Sequence, residues 1–227
     1  MEGLADCDYL WIFFDINPKN EKACVRIHRM PSARARPQFR TLKRKIPDSL
    51  DAPPVGAIVA YTDGACSGNG RPGATGGFAV VLPEFPGRTG GWPLADGVVP
   101  TSNRAEFTAF LKAARLADAV DPPGDGGAGG ARTLLVVTDS QLLHNAASKW
   151  IPKWKKAGWV KSDGAPVANR DLCEAIAAAC ERRAIVTRHI RAHGAGADPD
   201  SVGNRLADKL AGDACATQRR AAAESSS

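Results

Sequence analysis

Leu134-Leu135-Val136-Val137-Thr138-Asp139-Ser140 is a run of four aliphatic residues that ends in a hydroxyl, a carboxylate and a second hydroxyl. The same kind of ending occurs upstream in Ala57-Ile58-Val59-Ala60-Tyr61-Thr62-Asp63-Gly64. A short apolar run bounded by turn-forming residues predicts a strand buried on both faces. Such strands belong to α/β sheets, which build their sites just beyond the strand ends. Asp63 and Asp139 are therefore the first candidate functional residues. Taken singly, Asp63-Gly64 also fits a turn and Asp139-Ser140 a helix N-cap. Two such endings in one domain favour a site.

The surrounding pattern extends the reading. A second strand is predicted over 76–82 after a Gly-rich turn, and a third within 91–99. A helix is predicted over 103–120, with Phe107, Phe110, Leu111 and Ala114 at helical spacing. A Gly/Pro loop at 121–130 precedes the 134–137 strand, and a helix follows from Gln141. Further along, 171–183 reads as a helix, 184–190 as a strand and 202–214 as a final helix along Leu206 and Leu210. This order predicts an α/β fold, a mixed five-stranded sheet flanked by helices.

Outside 57–216 the composition changes. Residues 1–30 suggest a small β-hairpin, with 9–16 and 23–29 as strands and Asn17-Pro18-Lys19-Asn20 as the turn. Residues 31–56 form a basic Pro/Arg-rich linker, and 217–227 read as a flexible tail, frayed from Ala221. The 227-residue chain is 44% hydrophobic, enough for a sizeable core, so wholesale disorder is excluded. No apolar run approaches the ~18 residues of a membrane span, and no secretory signal or transit peptide is evident, so an intracellular protein, cytoplasmic or nuclear, is expected. The six cysteines form no CxxC pair and no zinc-like spacing with histidine, consistent with unpaired thiols in a reducing compartment.

The net charge of +6 is unevenly placed. Residues 1–45 carry ten Lys/Arg and five Asp/Glu, while the remainder carries 20 and 19. Ten basic residues between Lys19 and Lys45 face one acid, Glu21. A basic extension beside a near-neutral domain suits a polyanionic partner such as nucleic acid; a solvated tail is the plainer alternative. A second basic segment runs from Lys149 to Arg170, with Trp150, Trp154 and Trp159 interleaved and Asp163 its single acid. It reads as a backbone-gripping surface, or else as an amphipathic helix whose tryptophans pack on the core.

Two further acids are candidates. Glu106 is the third residue after Asn103, so a capping box would explain it as well as a ligand role would. Asp208, in Asn204-Arg205-Leu206-Ala207-Asp208, flanks the apolar stripe of Leu206 and Leu210; an ordinary helix-surface acid is the alternative. Four acids with no His pair or Cys among them would suit a hard cation such as Mg²⁺ or Mn²⁺ rather than Zn²⁺.

Taken together and in order, these pieces resemble type 1 ribonuclease H. The resemblance rests on Asp63-Gly64-Ala65 with Asn69-Gly70 and Gly76-Gly77, Thr101-Ser102-Asn103-Arg104-Ala105-Glu106, and Thr138-Asp139-Ser140. It continues through Trp150-Ile151-Pro152-Lys153-Trp154-Lys155-Lys156-Ala157-Gly158-Trp159, Pro166-Val167-Ala168-Asn169-Arg170-Asp171-Leu172 and Asn204-Arg205-Leu206-Ala207-Asp208. It covers about residues 57–214 and implies a ribonuclease H-like fold with a basic N-terminal extension.

The resemblance further implies an endoribonuclease that hydrolyses the RNA strand of RNA–DNA hybrids and leaves 5′-phosphate and 3′-hydroxyl ends. Asp63, Glu106, Asp139 and Asp208 would hold two Mg²⁺ ions, with Mn²⁺ able to substitute. His193 would assist proton transfer or product release. Thr101 and Asn169 would grip a DNA phosphate, and Asn69, Ser102 and Asn103 would read the RNA strand. Trp150 and Trp154, with Lys153, Lys155 and Lys156 of the basic protrusion, would hold the hybrid. A monomer with no small-molecule cofactor and no membrane partner is expected. The alternatives are a weak or inactive hybrid-binding module and a DNA-directed nuclease of the same superfamily. Two places depart from the family pattern: the connection from His193 to Asp208 is several residues longer, and Val99 stands where some members carry an arginine.

Overall fold

The computed structural model describes residues 53–95, 97–124, 131–192 and 196–224, and the backbone of two short strands nearer the N-terminus. Contacts divide the chain into Met1–Arg44 and Lys45–Ser227. In the first unit, β1 (Phe13–Asp15) pairs antiparallel with β2 (Cys24–Arg26), Phe14 opposite Val25. Both strands fall within the two segments predicted to pair; the 17–20 turn lies outside the described residues.

The second unit is built on β3 (Ile58–Ser67), β4 (Thr75–Val81), β5 (Gly90–Pro93), β6 (Leu134–Thr138) and β7 (Ile185–His189), in the spatial order β5-β4-β3-β6-β7. Strands β3, β4 and β5 pair antiparallel, whereas β6 and β7 join in parallel. Helix α1 (Ser102–Val120) lies between β5 and β6 in the chain. Between β6 and β7 come α2 (Gln141–Asn145), a π turn (Ala146–Trp150), α3 (Ile151–Lys156) and α4 (Arg170–Arg182); α5 (Pro199–Glu224) ends the fold. This is the mixed five-stranded sheet flanked by helices that the sequence pattern predicts.

The alternation of β6 divides the interior into two layers. Leu134 and Val136 pack with Ile58, Ala60, Phe107, Phe110 and Ile176 on the face covered by α1 and α4. Leu135 and Val137 pack with Tyr61, Val81 and Ala207 on the face covered by α5. Close approach of α5 to the sheet requires Gly77, where a Cβ would stand 2.4 Å from Cys215 N. The helix also runs ten residues past its predicted end at Ala214, to Glu224. Residues 217–223 are Thr, Gln, Arg and Ala, mostly strong helix formers, and Gln218 ties this turn to the sheet by accepting from Gly76 N and donating to Leu94 O.

One buried charge ties the end of α1 to Arg132, just before β6. Arg183, only 1% exposed, donates to Asp118 Oδ1 (2.9 Å), Asp121 Oδ2 (3.1 Å) and the carbonyls of Ala117, Asp121 and Arg132. Asp121 Oδ2 also accepts from Arg132 N at 2.7 Å. A buried guanidinium is tolerated because its donors are paired. Among the described residues, no helix is long and apolar enough to cross a membrane.

Candidate active site

The two carboxylates that end the apolar runs meet because the sheet loses a strand beside them. Parallel pairing of β3 with β6 runs from Ile58–Leu134 to Tyr61–Val137 and stops there. On its other edge β3 continues antiparallel to β4 as far as Ser67–Thr75. Asp63 therefore sits inside a strand rather than at its end, opposite Ala79 on one side and facing the space where β6 has turned away. The turn suggested by Asp63-Gly64 does not form, because antiparallel pairing with β4 holds that backbone extended.

Asp139 follows β6 directly, and its carboxylate does not cap the helix that follows. Ser140, not Asp139, caps α2 by accepting from Leu143 N at 3.2 Å. Thr138 Oγ1 accepts from Ser140 N at 3.1 Å, which fixes the turn between them. Glu106 comes from α1, whose cap is Thr101 rather than Asn103: Thr101 Oγ1 accepts from Arg104 N at 3.1 Å. That cap puts Glu106 at the fifth helical residue, beyond reach of a capping box and pointed into the domain. Gly64 brings it there, since a Cβ on residue 64 would lie 2.3 Å from Glu106 N and 2.5 Å from Ala105 C.

Oxygens of Asp63, Glu106 and Asp139 lie within 4.8 Å of one another, so these three residues could hold a metal ion. Asp63 is 7% exposed and Glu106 8% exposed. Burial, followed by the negative charge of Asp139, pushes the Asp63 carboxyl up to about 6. Burial and the charges of Asp63 and Asp139 hold Glu106 well above the usual carboxylate range. A cation among them would remove that cost, and Glu106 Oε2 is buried without a protein partner. An all-oxygen set of this kind fits a hard divalent cation.

Asp208 stands apart from this trio. It is exposed on α5, outside the 4.8 Å group, yet near enough for its charge to raise Asp63 further. The α5 side chain that does reach the trio is Asn204, 3% exposed, whose Nδ2 donates to Asp139 Oδ2 at 3.0 Å. In the sequence Asn204 is only one member of a motif, with no role assigned; its spacing one turn before Asp208 is the available signal. His189 supports the same residue from β7, with Nε2 3.1 Å from Asp139 O, a carbonyl that can only accept. His193 lies outside the described residues.

The candidate substrate residues gather around the first turn of α1. Asn69, exposed in the loop after β3, accepts from Ser102 N at 3.0 Å, and Gly70 N donates to Pro100 O at 2.8 Å. Thr101 and Ser102 are half-buried and Asn103 is exposed. Asn169, in the left-handed region at φ 51°, begins α4 beside Arg104, whose Nη1 donates to its Oδ1 at 3.1 Å. Trp150 and Trp154 are 5.7 Å apart between ring centres, and with Trp159 they pack partly on the main core. The packing and gripping readings of the basic segment are thus compatible: the tryptophans rest inward while Lys153, Lys155 and Lys156 stay exposed. Lys155 makes an ion pair with Glu181.

Comparison with known proteins agrees with this geometry. The RNase H family profile matches residues 56–216. Ribonuclease H of Treponema pallidum subsp. pallidum is 32% identical over 166 residues, spanning 73% of this chain and 93% of its own. Ribonuclease H of Cereibacter sphaeroides (strain ATCC 17025 / ATH 2.4.3) is 37% identical over 161 residues, 68% of this chain and 91% of its own. Among solved structures, a foamy viral protease-reverse transcriptase in complex with dsDNA superposes with a TM-score of 0.54 at 25% identity, covering 71% of this chain and 95% of that one. A solution structure of the PFV RNase H domain gives 0.54 at 24% identity, covering 72% and 98%, a likeness of fold. The protein belongs to the ribonuclease H family.

Proposed function

We propose that the protein is an endoribonuclease that cuts the RNA strand of RNA–DNA hybrids, leaving 5′-phosphate and 3′-hydroxyl ends. The observation that carries this reading is the convergence of Asp63, Glu106 and Asp139 within 4.8 Å where β6 leaves the side of β3. Asp63, Glu106 and Asp139 hold the divalent metal, two Mg²⁺ ions with Mn²⁺ able to substitute, and Asp208 contributes from α5. Two such ions supply a nucleophilic water, a stabilised leaving oxygen and screening of the phosphate charge.

The remaining work falls to the chain's own groups. Asn204 and His189 fix the orientation of Asp139. Asn69, Ser102 and Asn103 meet the RNA strand, where 2′-hydroxyls distinguish it from DNA. Thr101 and Asn169 hold a phosphate of the DNA strand, and Lys153, Lys155 and Lys156 with Trp150 and Trp154 line its path. His193 assists proton transfer or product release. The basic stretch 19–45 tethers the hybrid electrostatically.

One labelled sequence prepared as RNA–DNA hybrid, RNA duplex, DNA duplex and single-stranded RNA tests the reading, each incubated with Mg²⁺, Mn²⁺ or EDTA. Metal-dependent cutting confined to the RNA of the hybrid is the expected result. Cutting of duplex DNA, or tight hybrid binding with no cutting in either metal, overturns it.

A further inference from the structure

Arg104 occupies an unusual position between two elements. Its backbone N–H donates to Thr101 Oγ1 at 3.1 Å, and its guanidinium Nη1 donates to Asn169 Oδ1, also at 3.1 Å. The same guanidinium forms a two-pronged pair with Asp171, Nη1 to Oδ1 at 3.2 Å and Nη2 to Oδ2 at 2.6 Å. Its side chain is 20% exposed, so α1 and the start of α4 meet across it.

These contacts decide which polar atoms remain for a ligand. An amide side chain has an acceptor end and a donor end, and either can face outward unless a neighbour chooses. A guanidinium only donates, so Asn169 must turn Oδ1 toward Arg104 and present its Nδ2–H₂ to solvent. The hydroxyl of Thr101 already accepts from Arg104 N, which leaves its proton to donate. Both groups are thereby set as donors, the polarity a phosphate requires. Asp171 fixes the plane of the guanidinium and cancels its charge, so Arg104 itself offers little to a polyanion.

We infer that Arg104, clamped by Asp171, is the positioning residue that orients Asn169 as a phosphate donor. The inference rests on the reading of Asn169 as a phosphate contact of the hybrid, and it assigns the residue that enforces that contact. Arginine suits the task because its planar fork can hold Asp171 and Asn169 at once; a lysine could not hold both in one plane.

The test is hybrid binding by fluorescence anisotropy in EDTA, across a salt series, for the intact chain and three variants. These are Asn169→Ala, the charge-neutral pair Arg104→Ala with Asp171→Ala, and all three substitutions together. Asn169→Ala should weaken binding about tenfold with the salt slope unchanged, because a neutral amide displaces no counterion. The charge-neutral pair should reproduce the tenfold loss, also at an unchanged slope, and the triple variant should be no weaker than Asn169→Ala. A melting temperature lowered by the pair with wild-type hybrid affinity retained would mean a merely structural strut, and would overturn the inference. So would additive losses in the triple variant. If Asn169→Ala itself leaves affinity unchanged, the phosphate reading of Asn169 fails first and takes the inference with it.

Discussion

Asn204 donates its side-chain amide to Asp139 Oδ2 across 3.0 Å, although the two residues come from α5 and from the end of β6. Asn204 Oδ1 is buried without a protein partner. The bond occupies one carboxylate oxygen of Asp139 and so selects which oxygen faces Asp63 and Glu106. Asn204→Ala should lower Mn²⁺ affinity about 10- to 100-fold, the usual effect of removing a group that orients a ligand. Calorimetric titration with Mn²⁺ checks this, and activity should recover in part at high metal. Unchanged affinity with a lowered melting temperature would reduce Asn204 to a packing residue.

Gly64 sets the distance between β3 and α1 at the site. Backbone, not a flexible side chain, meets an added Cβ there, so Gly64→Ala must push α1 outward. The expected cost is about 1–3 kcal/mol of stability, read by denaturant unfolding. Because Glu106 moves with α1, metal affinity should fall in the same variant. A comparable substitution at Gly212, exposed inside α5 with open space around it, should instead raise stability by up to about 1 kcal/mol through helix propensity and leave metal affinity unchanged.

The raised carboxyls make the metal-free protein sensitive to pH. Asp63 titrates at about 6 when folded against its ordinary value of 3.8, so the folded state holds the proton more tightly between those values. The contribution of this group is greatest below about pH 4 and falls as pH rises toward 6, by on the order of 2–3 kcal/mol. Glu106 shifts in the same direction and extends the decline to higher pH. Cations bind the deprotonated carboxylates, so metal affinity should rise over the same range. Melting curves in EDTA and in Mg²⁺ check both signs: the loss with pH should appear in EDTA and shrink in Mg²⁺.

How far the sequence reveals this site depends on whether a feature is local. The apolar strands and the stripe of Phe107, Phe110, Leu111 and Ala114 are local, and they predict the sheet and α1, while the direction of Glu106 stays open between cap and ligand. The β3 continuation past Asp63 is not local: Asp63-Gly64 has turn chemistry, and only pairing with β4 keeps it extended. The α1 cap falls at Thr101 and not at Asn103, a choice the local sequence leaves open because both residue types cap well. Asn204 carries no signal of its own, since its partner is 65 residues away and the contact exists only after α5 docks on the sheet. The acid pattern names Asp208 readily, yet α5 leaves it exposed at the margin of the trio.

The basic N-terminal stretch has a distinct electrostatic signature. Residues 19–45 hold ten Lys/Arg against one acid, whereas the rest of the chain beyond 45 is nearly neutral. Removal of residues 1–50 should weaken hybrid binding and flatten its dependence on salt, with cleavage at saturating substrate unchanged. Binding isotherms over a salt series measure the slope. A slope equal to that of the intact chain would show that the stretch makes no phosphate contacts.

The lysines of the protrusion should not contribute equally, although all three are exposed. Lys155 already makes an ion pair with Glu181, while Lys153 and Lys156 flank it along α3. A cation that keeps a carboxylate partner releases fewer counterions from the nucleic acid than one that is solvated. Lys153→Gln and Lys156→Gln should each reduce the salt slope by about one, whereas Lys155→Gln should reduce it by less. Glu181→Gln then provides the converse: with Lys155 released, hybrid affinity should increase. Slopes equal to that of the intact chain for all three lysine variants, with no gain from Glu181→Gln, would place the nucleic acid elsewhere on the protein.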